Sequence, residues 1–126
     1  MSINIPAGTI LSPQIFSVNT VYDSDIIAIP EIAVYKVNCT AGKAYMMLSE
    51  TDSTEPLFTL DDSEIYVYKP STLTYTDSSY DYHNDDDLGP ELAPYNYDLE
   101  LGSRVKFIAD ETGWYVVIVA EYGTNF

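Results

Sequence analysis

The stretch from Asp81 to Asp87, Asp-Tyr-His-Asn-Asp-Asp-Asp, is the part of the chain best suited to bind a metal. Hard cations such as calcium prefer several carboxylate oxygens close together. The stretch does not match the EF-hand loop. With Asp81 as the first ligand, Asp86 occupies the position that needs glycine and Leu92 the position that needs glutamate. The predicted ligands of a calcium site of another kind are Asp81, Asp85, Asp86 and Asp87. The alternative interpretation is a solvated acidic loop.

Catalytic chemistry is not indicated by the remaining reactive residues. His83 is the only histidine and Cys39 the only cysteine, so the chain has too few of the histidine and cysteine ligands that a zinc site usually needs. No serine lies in a Gly-x-Ser-x-Gly motif, and the six glycines are too far apart to form a phosphate-binding loop. We expect His83 to be exposed and Cys39 to be a buried thiol. The sequence therefore predicts no enzyme, no catalytic residue and no cofactor other than calcium.

Charge restricts the classes of partner. The 126 residues include twenty acidic and five basic side chains, for a formal net charge of −15. Phosphate backbones and anionic lipids should repel such a chain, so we expect binding to neither nucleic acid nor membranes. A basic protein surface or divalent cations suit this field. The start lacks a secretory signal pattern, and no apolar run approaches the roughly 20 residues of a membrane span, so we expect synthesis in a cytoplasm.

The stretch between Lys69 and Arg104 is acidic and aromatic together. It has eight carboxylates and five tyrosines but no lysine or arginine. Such long connections are usually functional loops or disordered segments, and the tyrosines favour a loop that packs in part. We predict a long acidic loop at residues 70–103. The predicted contact residues are Tyr66, Tyr68, Tyr80, Tyr82, Tyr95 and Tyr97. For Tyr66 and Tyr68, which share one face of a strand, cross-strand packing is the alternative.

The elements that position these residues are predicted to be strands. Short runs rich in Val, Ile, Thr, Tyr and Phe alternate with Pro, Gly, Asp and Ser clusters. We predict strands at 9–11, 15–19, 32–39, 44–49, 57–60, 65–69, 73–75, 104–109 and 114–122. They predict one all-β domain over residues 1–126, an antiparallel β-sandwich or barrel. Gly42 and Gly113 are predicted to close two β-hairpins, and the last strand, with Trp114 in the core, to lie centrally because it is apolar on both faces.

Two segments, Val34–Gly42 and Leu101–Asp110 with the following Gly113 and Trp114, combine a strand with a glycine turn. They resemble segments of bacteriophage structural proteins, the head-decoration and tail-fibre modules. The acidic stretch between them departs from those more compact modules. The resemblance implies a non-enzymatic, oligomeric virion component whose strands stabilise a shell or fibre, and it transfers no functional residue.

These features together predict a structural protein that binds another protein surface, that of a capsid or tail protein, as a decoration or attachment component of a virion. Two alternatives from other classes stay open at this point. The charge also suits an acidic mimic of DNA that inhibits a nucleic-acid enzyme. Trp114, the tyrosines and the Asp85–Asp87 carboxylates would suit a calcium-dependent carbohydrate-binding module.

Overall fold

A computed structural model describes residues 2–5, 8–17, 21–24, 32–51, 63–84, 98–121 and 123–126. Every regular element within these ranges is a strand, which confirms the all-β class. The strands are β1 (Ser2–Ile5), β2 (Gln14–Phe16), β3 (Val21–Ser24), β4 (Ile32–Cys39), β5 (Ala44–Thr51), β6 (Ser63–Tyr68), β7 (Tyr82–Asn84), β8 (Asp98–Ile108) and β9 (Gly113–Glu121). No helix long and apolar enough to cross a membrane occurs in these ranges.

The strands form one larger sheet and two pairs. The five-stranded sheet has the order β2-β4-β9-β6-β7, and β5 pairs with β8 in an antiparallel ribbon. A separate pair joins β1 and β3 in parallel. The five-stranded sheet is mixed, because β2 runs parallel to β4 while the other pairs are antiparallel. The prediction of a purely antiparallel arrangement is therefore wrong, and the sheet is not closed into a barrel.

The central strand of the five-stranded sheet is β9, as its continuous apolar sequence predicts. Tyr115 and Val117 project from one face of the sheet, whereas Ile118 and Ala120 project from the other. All four are buried. We call the first surface the ribbon face, because the β5–β8 ribbon packs on it, and the second the loop face.

An apolar core fills the space between the ribbon face and the ribbon. Its buried members are Ala33, Tyr35, Val37, Cys39, Ile65, Val67, Val105, Phe107, Ala109, Tyr115 and Val117. The Phe107 ring, from the ribbon, stacks against two rings of the sheet, with centroids 4.6 Å from Tyr82 and 5.6 Å from Tyr115. Cys39 is fully buried here, as predicted.

The loop face is covered by the connection between β6 and β7 and by residues that follow β9. Its buried apolar members are Val34, Tyr66, Tyr68, Ile118 and Ala120. The Tyr68 hydroxyl donates to the Thr76 carbonyl at 2.7 Å, which ties the connection to the sheet. The Asp77 amide donates to the Phe126 carbonyl at 3.1 Å, so the two covering segments are also joined to each other.

Both predicted glycine turns are present, but neither closes a hairpin. Gly42 and Gly113 have φ values of +89° and +149°, in the region that favours glycine. The strands that flank each turn belong to different sheets, because β4 pairs with β9 and β5 with β8. The two turns instead bond to each other, with the Gly42 amide donating to the Ala109 carbonyl at 2.7 Å and the Ala109 amide to the Lys43 carbonyl at 2.9 Å.

Gly8 is required by a close approach of two backbone segments. Its carbonyl accepts a hydrogen bond from the Val34 amide at 3.0 Å, beside the start of β2. A Cβ atom at this position would lie 2.0 Å from the Val34 carbonyl oxygen and 2.5 Å from the Gln14 nitrogen. Only glycine fits here without a shift of the Val34 or Gln14 backbone.

The predicted loop at residues 70–103 is interrupted by strands. It contains β7, which pairs with β6, and the first residues of β8. The predicted strands at 9–11 and 73–75 are wrong, since these residues lie in turns and irregular chain. The predicted strand at 57–60 lies outside the described residues.

Candidate interaction surfaces

Tyr66 and Tyr68 do not form an exposed pair. Both are buried in the loop face, so the packing alternative describes them, and the prediction of an outer contact surface at these two positions is wrong. The physical reason is the β6–β7 connection, which folds back over β6 and places Tyr75 edge-on against Tyr68, with ring centroids 5.2 Å apart. An alternating strand pattern shows which residues share a face, but it does not show what covers that face.

A buried acidic side chain also lies on the loop face, beside Tyr66. Glu64 is buried on β6, and its Oε2 accepts a hydrogen bond from the Tyr66 hydroxyl at 2.8 Å. Its Oε1 lies 3.3 Å from Nε2 of His83, on the neighbouring strand β7. A buried carboxylate is stable only when such partners satisfy it. His83 is consequently a half-buried partner of Glu64 and not the exposed side chain that its polar surroundings predicted.

Aromatic rings surround Tyr66, the residue that donates to this carboxylate. Tyr66 lies 4.6 Å from the His83 ring, 5.6 Å from Tyr80 and 5.0 Å from Phe126, measured between centroids. Tyr80 is the member that reaches solvent, with 40% of its surface exposed. Tyr80 is thus a contact candidate that the structure leaves accessible.

The other predicted tyrosines differ in position. Tyr82 is half-buried and stacks on Phe107, while its ring also lies 5.8 Å from the Lys69 ammonium. Tyr95 and Tyr97 lie outside the described residues, so their contact role stays a prediction.

Asp81, the one predicted metal ligand within the described residues, stabilises the β6–β7 connection. Its Oδ2 accepts hydrogen bonds from the Lys69 amide at 2.8 Å and from the Thr72 hydroxyl at 2.6 Å. Among the described residues, no group of three or more potential ligands is close enough to hold a metal. The other predicted ligands, Asp85, Asp86 and Asp87, lie outside that part of the chain, so the calcium site stays a prediction.

Burial also affects the ionisation of the core residues. It raises the pKa of the Cys39 thiol to about 11. On the loop face, burial raises the pKa of Tyr66 well above its usual range, and the hydrogen bond to Glu64 raises it further. Burial likewise raises the pKa of Tyr68. These side chains are held in their neutral forms.

Trp114 is exposed, contrary to the prediction that it lies in the core. It is the second residue of β9, near the end of the sheet and opposite Asn38, and 44% of its surface is accessible. The Lys36 ammonium lies 5.1 Å from the centre of the indole ring. Because Ile15 of the edge strand pairs with Lys36 and is exposed as well, this corner of the sheet presents an aromatic and aliphatic patch with one cation.

A second apolar surface lies on the outer side of the β5–β8 ribbon. Ala44 pairs with Ile108 and Met46 pairs with Lys106, and these side chains alternate with the half-buried Tyr45 and the buried Phe107. Ile108 is 67% exposed and Met46 is 38% exposed. Together these six residues line an open groove of about 410 Å³, which we call the ribbon groove.

Sequence reasoning missed the ribbon groove, although part of its signal is present in the sequence. In β5 both Met46 and Met47 are apolar, so the strand has no polar face there. The same pattern in β9 marks a central strand that is covered on both sides. In β5, whose only partner among the described strands is β8, it leaves an apolar face open.

In comparisons with known proteins, no family model, no curated protein and no solved structure matches this chain.

Proposed function

We propose that this protein is a non-enzymatic β-sandwich module that binds another protein surface, as a decoration or attachment component of a virion. The ribbon groove is the observation that carries the proposal. Exposed apolar patches on soluble proteins commonly mark contact sites. Ile108, Met46 and Ala44 form such a patch on a strand pair whose other side packs on the five-stranded sheet through Phe107 and Tyr45.

The charge of the chain supports a protein partner. With a net charge of −15, its field favours a basic surface and accelerates docking on one. The described carboxylates near the β6–β7 connection also have structural partners. Asp110 lies 2.8 Å from the Lys69 ammonium, and Glu111 accepts hydrogen bonds from Ser71. These contacts fix a surface of the kind that rigid docking needs.

Co-sedimentation tests this proposal. The purified protein, mixed with bare capsid shells or tails from the particle that carries it, should sediment with them, and added salt should weaken the binding because it screens the charge attraction. The Met46→Glu variant should bind at least about tenfold more weakly if the ribbon groove is the contact. A protein that remains in the supernatant with every such particle contradicts the proposal.

The exposure of Trp114 favours a second candidate function, the binding of carbohydrate. An accessible indole ring can stack on a sugar ring, and the exposed Asn38 opposite it can supply a hydrogen-bonding amide. Calorimetry with neutral oligosaccharides, with and without calcium, tests this function on the wild-type protein and on Trp114→Ala. Heat that the variant loses supports a sugar site, whereas the absence of heat with the wild-type protein removes it.

A further inference from the structure

We propose that the exposed end of the loop face binds an acidic sugar, a uronic or sialic acid within a short oligosaccharide. The inference deepens the second candidate function and rests on it, because it names the class of sugar that the accessible indole ring binds. Four side chains form the site, which we call the indole corner: Ile15, Lys36, Asn38 and Trp114.

The register of the strands places these four side chains on one side of the sheet. Along β4, Lys36 and Asn38 have the same alternation as Val34, which is buried in the loop face. Trp114 pairs with Asn38, and Ile15 pairs with Lys36, so both lie on that side as well. Ile15 is 57% exposed and Trp114 is 44% exposed. The indole corner is therefore an accessible continuation of the buried loop face.

Lys36 is a cation held at an aromatic ring. Its ammonium lies 5.1 Å from the centre of the Trp114 ring, and among the described residues it forms no ion pair with a carboxylate. The chain has twenty acidic residues and only five basic ones, so acidic side chains are not scarce. The indole positions the ammonium without neutralising its charge, which leaves it able to pair with the anion of a ligand.

The described carboxylates nearest to the start of β9 along the chain are Asp110 and Glu111. Asp110 lies 2.8 Å from the Lys69 ammonium, and Glu111 accepts hydrogen bonds from the Ser71 amide and hydroxyl. Lys69 and Ser71 follow β6, which borders β9 on the side opposite to β4. These contacts hold both carboxylates towards β6, whereas Lys36 extends from β4.

The chemistry of the indole corner selects an acidic sugar. The Trp114 ring supplies an apolar surface for stacking, and the Asn38 amide can donate to and accept from sugar hydroxyls. The Lys36 ammonium supplies the partner for a carboxylate. Four side chains offer much less surface than the roughly 800 Å² per partner that a stable protein interface buries. The corner therefore fits a short sugar chain better than a protein surface.

The net charge of −15 restricts the number of charges on the ligand. A polymer with a charge on every repeat is repelled by the whole chain, as nucleic acid is. An oligosaccharide with a single carboxylate places that charge at Lys36, and salt at about 0.15 M screens exposed charges that are more than roughly 8 Å away. We therefore expect one acidic sugar among neutral ones.

Calorimetry at about 0.15 M salt with matched ligands tests the inference. The probes are short oligosaccharides with a single uronic or sialic acid, each compared with its carboxyl-reduced counterpart, in which an alcohol replaces the carboxylate. The wild-type protein should bind the acidic member at least about threefold more tightly, because a charge-assisted contact adds to the stacking. A polyuronate should bind no more tightly than the oligosaccharide with one acid.

Three variants assign the contacts. Lys36→Met keeps the aliphatic stem and removes the ammonium, so it should bind both members with the affinity of the neutral one. Lys43→Met is the matched control, since it removes the same charge from an exposed lysine that precedes β5, and it should keep the preference. Trp114→Ala should bind both members at least about tenfold more weakly. Thermal unfolding checks that each variant is folded.

The outcomes separate the inference from the functions proposed above. Equal affinity of the wild-type protein for the acidic and the reduced members overturns the inference and leaves the second candidate function in place. A preference that Lys36→Met keeps, or that Lys43→Met loses, also overturns the inference. Absence of heat with every oligosaccharide overturns both. None of the three variants alters a residue that lines the ribbon groove, so co-sedimentation with shells tests the virion function independently.

Discussion

The two faces of the five-stranded sheet are both buried, but they are built differently. The ribbon face packs against two strands through apolar side chains. The tyrosine hydroxyls of this core reach backbone groups at the margin, as Tyr45 of the ribbon does at Thr40 and Tyr115 of the sheet at Glu111. The loop face packs against irregular chain and holds a carboxylate, Glu64, in its interior. The same sheet therefore has one face whose buried side chains are all uncharged and one face that must supply hydrogen-bond partners to a buried carboxylate.

This difference assigns the two faces different physical roles. Burial of apolar area is the main favourable term in folding, so the ribbon face should supply most of the stability. A buried carboxylate with specific partners contributes little net stability, but it penalises arrangements that break those partners. The loop face should therefore fix the position of the β6–β7 connection, including Tyr80, against His83 of β7.

The largest expected effect comes from truncating one phenylalanine on each side. Phe107→Ala removes a buried ring that stacks on Tyr82 and Tyr115, and should lower the free energy of unfolding by about 3–5 kcal/mol. Phe126→Ala removes a half-buried ring that makes an edge contact with Tyr66, and should cost about 1–2 kcal/mol. Urea unfolding of both variants measures the difference. Equal losses would show that the ribbon face is not the dominant core.

As the pH rises, ionisation of Cys39 in the ribbon face should lower the free energy of unfolding before ionisation of Tyr66 and Tyr68 in the loop face does. The pKa of Cys39 is raised by burial from 9.0 to about 11, so the thiol holds its proton more tightly in the folded state. Its contribution is complete below pH 9.0 and is lost as the pH rises towards about 11. The loss should reach about 2–3 kcal/mol, since each pKa unit is worth about 1.4 kcal/mol. On the loop face, the raised pKa values of Tyr66 and Tyr68 act only above their ordinary value of 10.0.

Cys39→Ala separates these contributions. Below pH 9 the variant has a lower stability because it loses a buried sulfur atom, but between pH 9 and 10 its stability should change little with pH. Denaturant titrations of both proteins at several pH values compare the slopes and not the absolute stabilities. An equally steep fall in the variant would mean that a group other than Cys39 titrates in this window.

The local sequence pattern predicted a strand well where the residues of that strand alone determine its structure. The bounds of β4 agree with the prediction, and β9 lies centrally as its apolar run indicates. The pattern failed where the outcome depends on distant residues. Gly42 and Gly113 set the turns, but the pairing of β4 with β9 instead of β5 is decided by side chains far apart in sequence. The short strand β7 exists because it pairs with β6.

The candidate surfaces were harder to predict for the same reason. A strand pattern placed Tyr66 and Tyr68 on one face but could not show that residues of the β6–β7 connection cover them. Trp114 has the composition of a core residue, yet it occupies the first pair beyond Gly113, where the sheet ends. In each case the burial of a side chain depends on the neighbouring element and not on the strand that carries it.

The smallest expected effect compares single hydroxyl groups. Tyr66→Phe removes the hydrogen bond to Glu64 and leaves one oxygen of a buried carboxylate without that donor, which should cost about 1–3 kcal/mol. Tyr115→Phe removes a hydroxyl that donates to the Glu111 carbonyl and accepts from the Glu111 amide, both neutral backbone groups of a half-buried residue, and should cost about 0.5–1.5 kcal/mol. Both variants keep the ring, so denaturant unfolding reports the hydroxyl alone. A larger loss for Tyr115→Phe would mean that Glu64 depends less on the Tyr66 hydroxyl than its burial indicates. Water or another donor would then reach the Glu64 carboxylate.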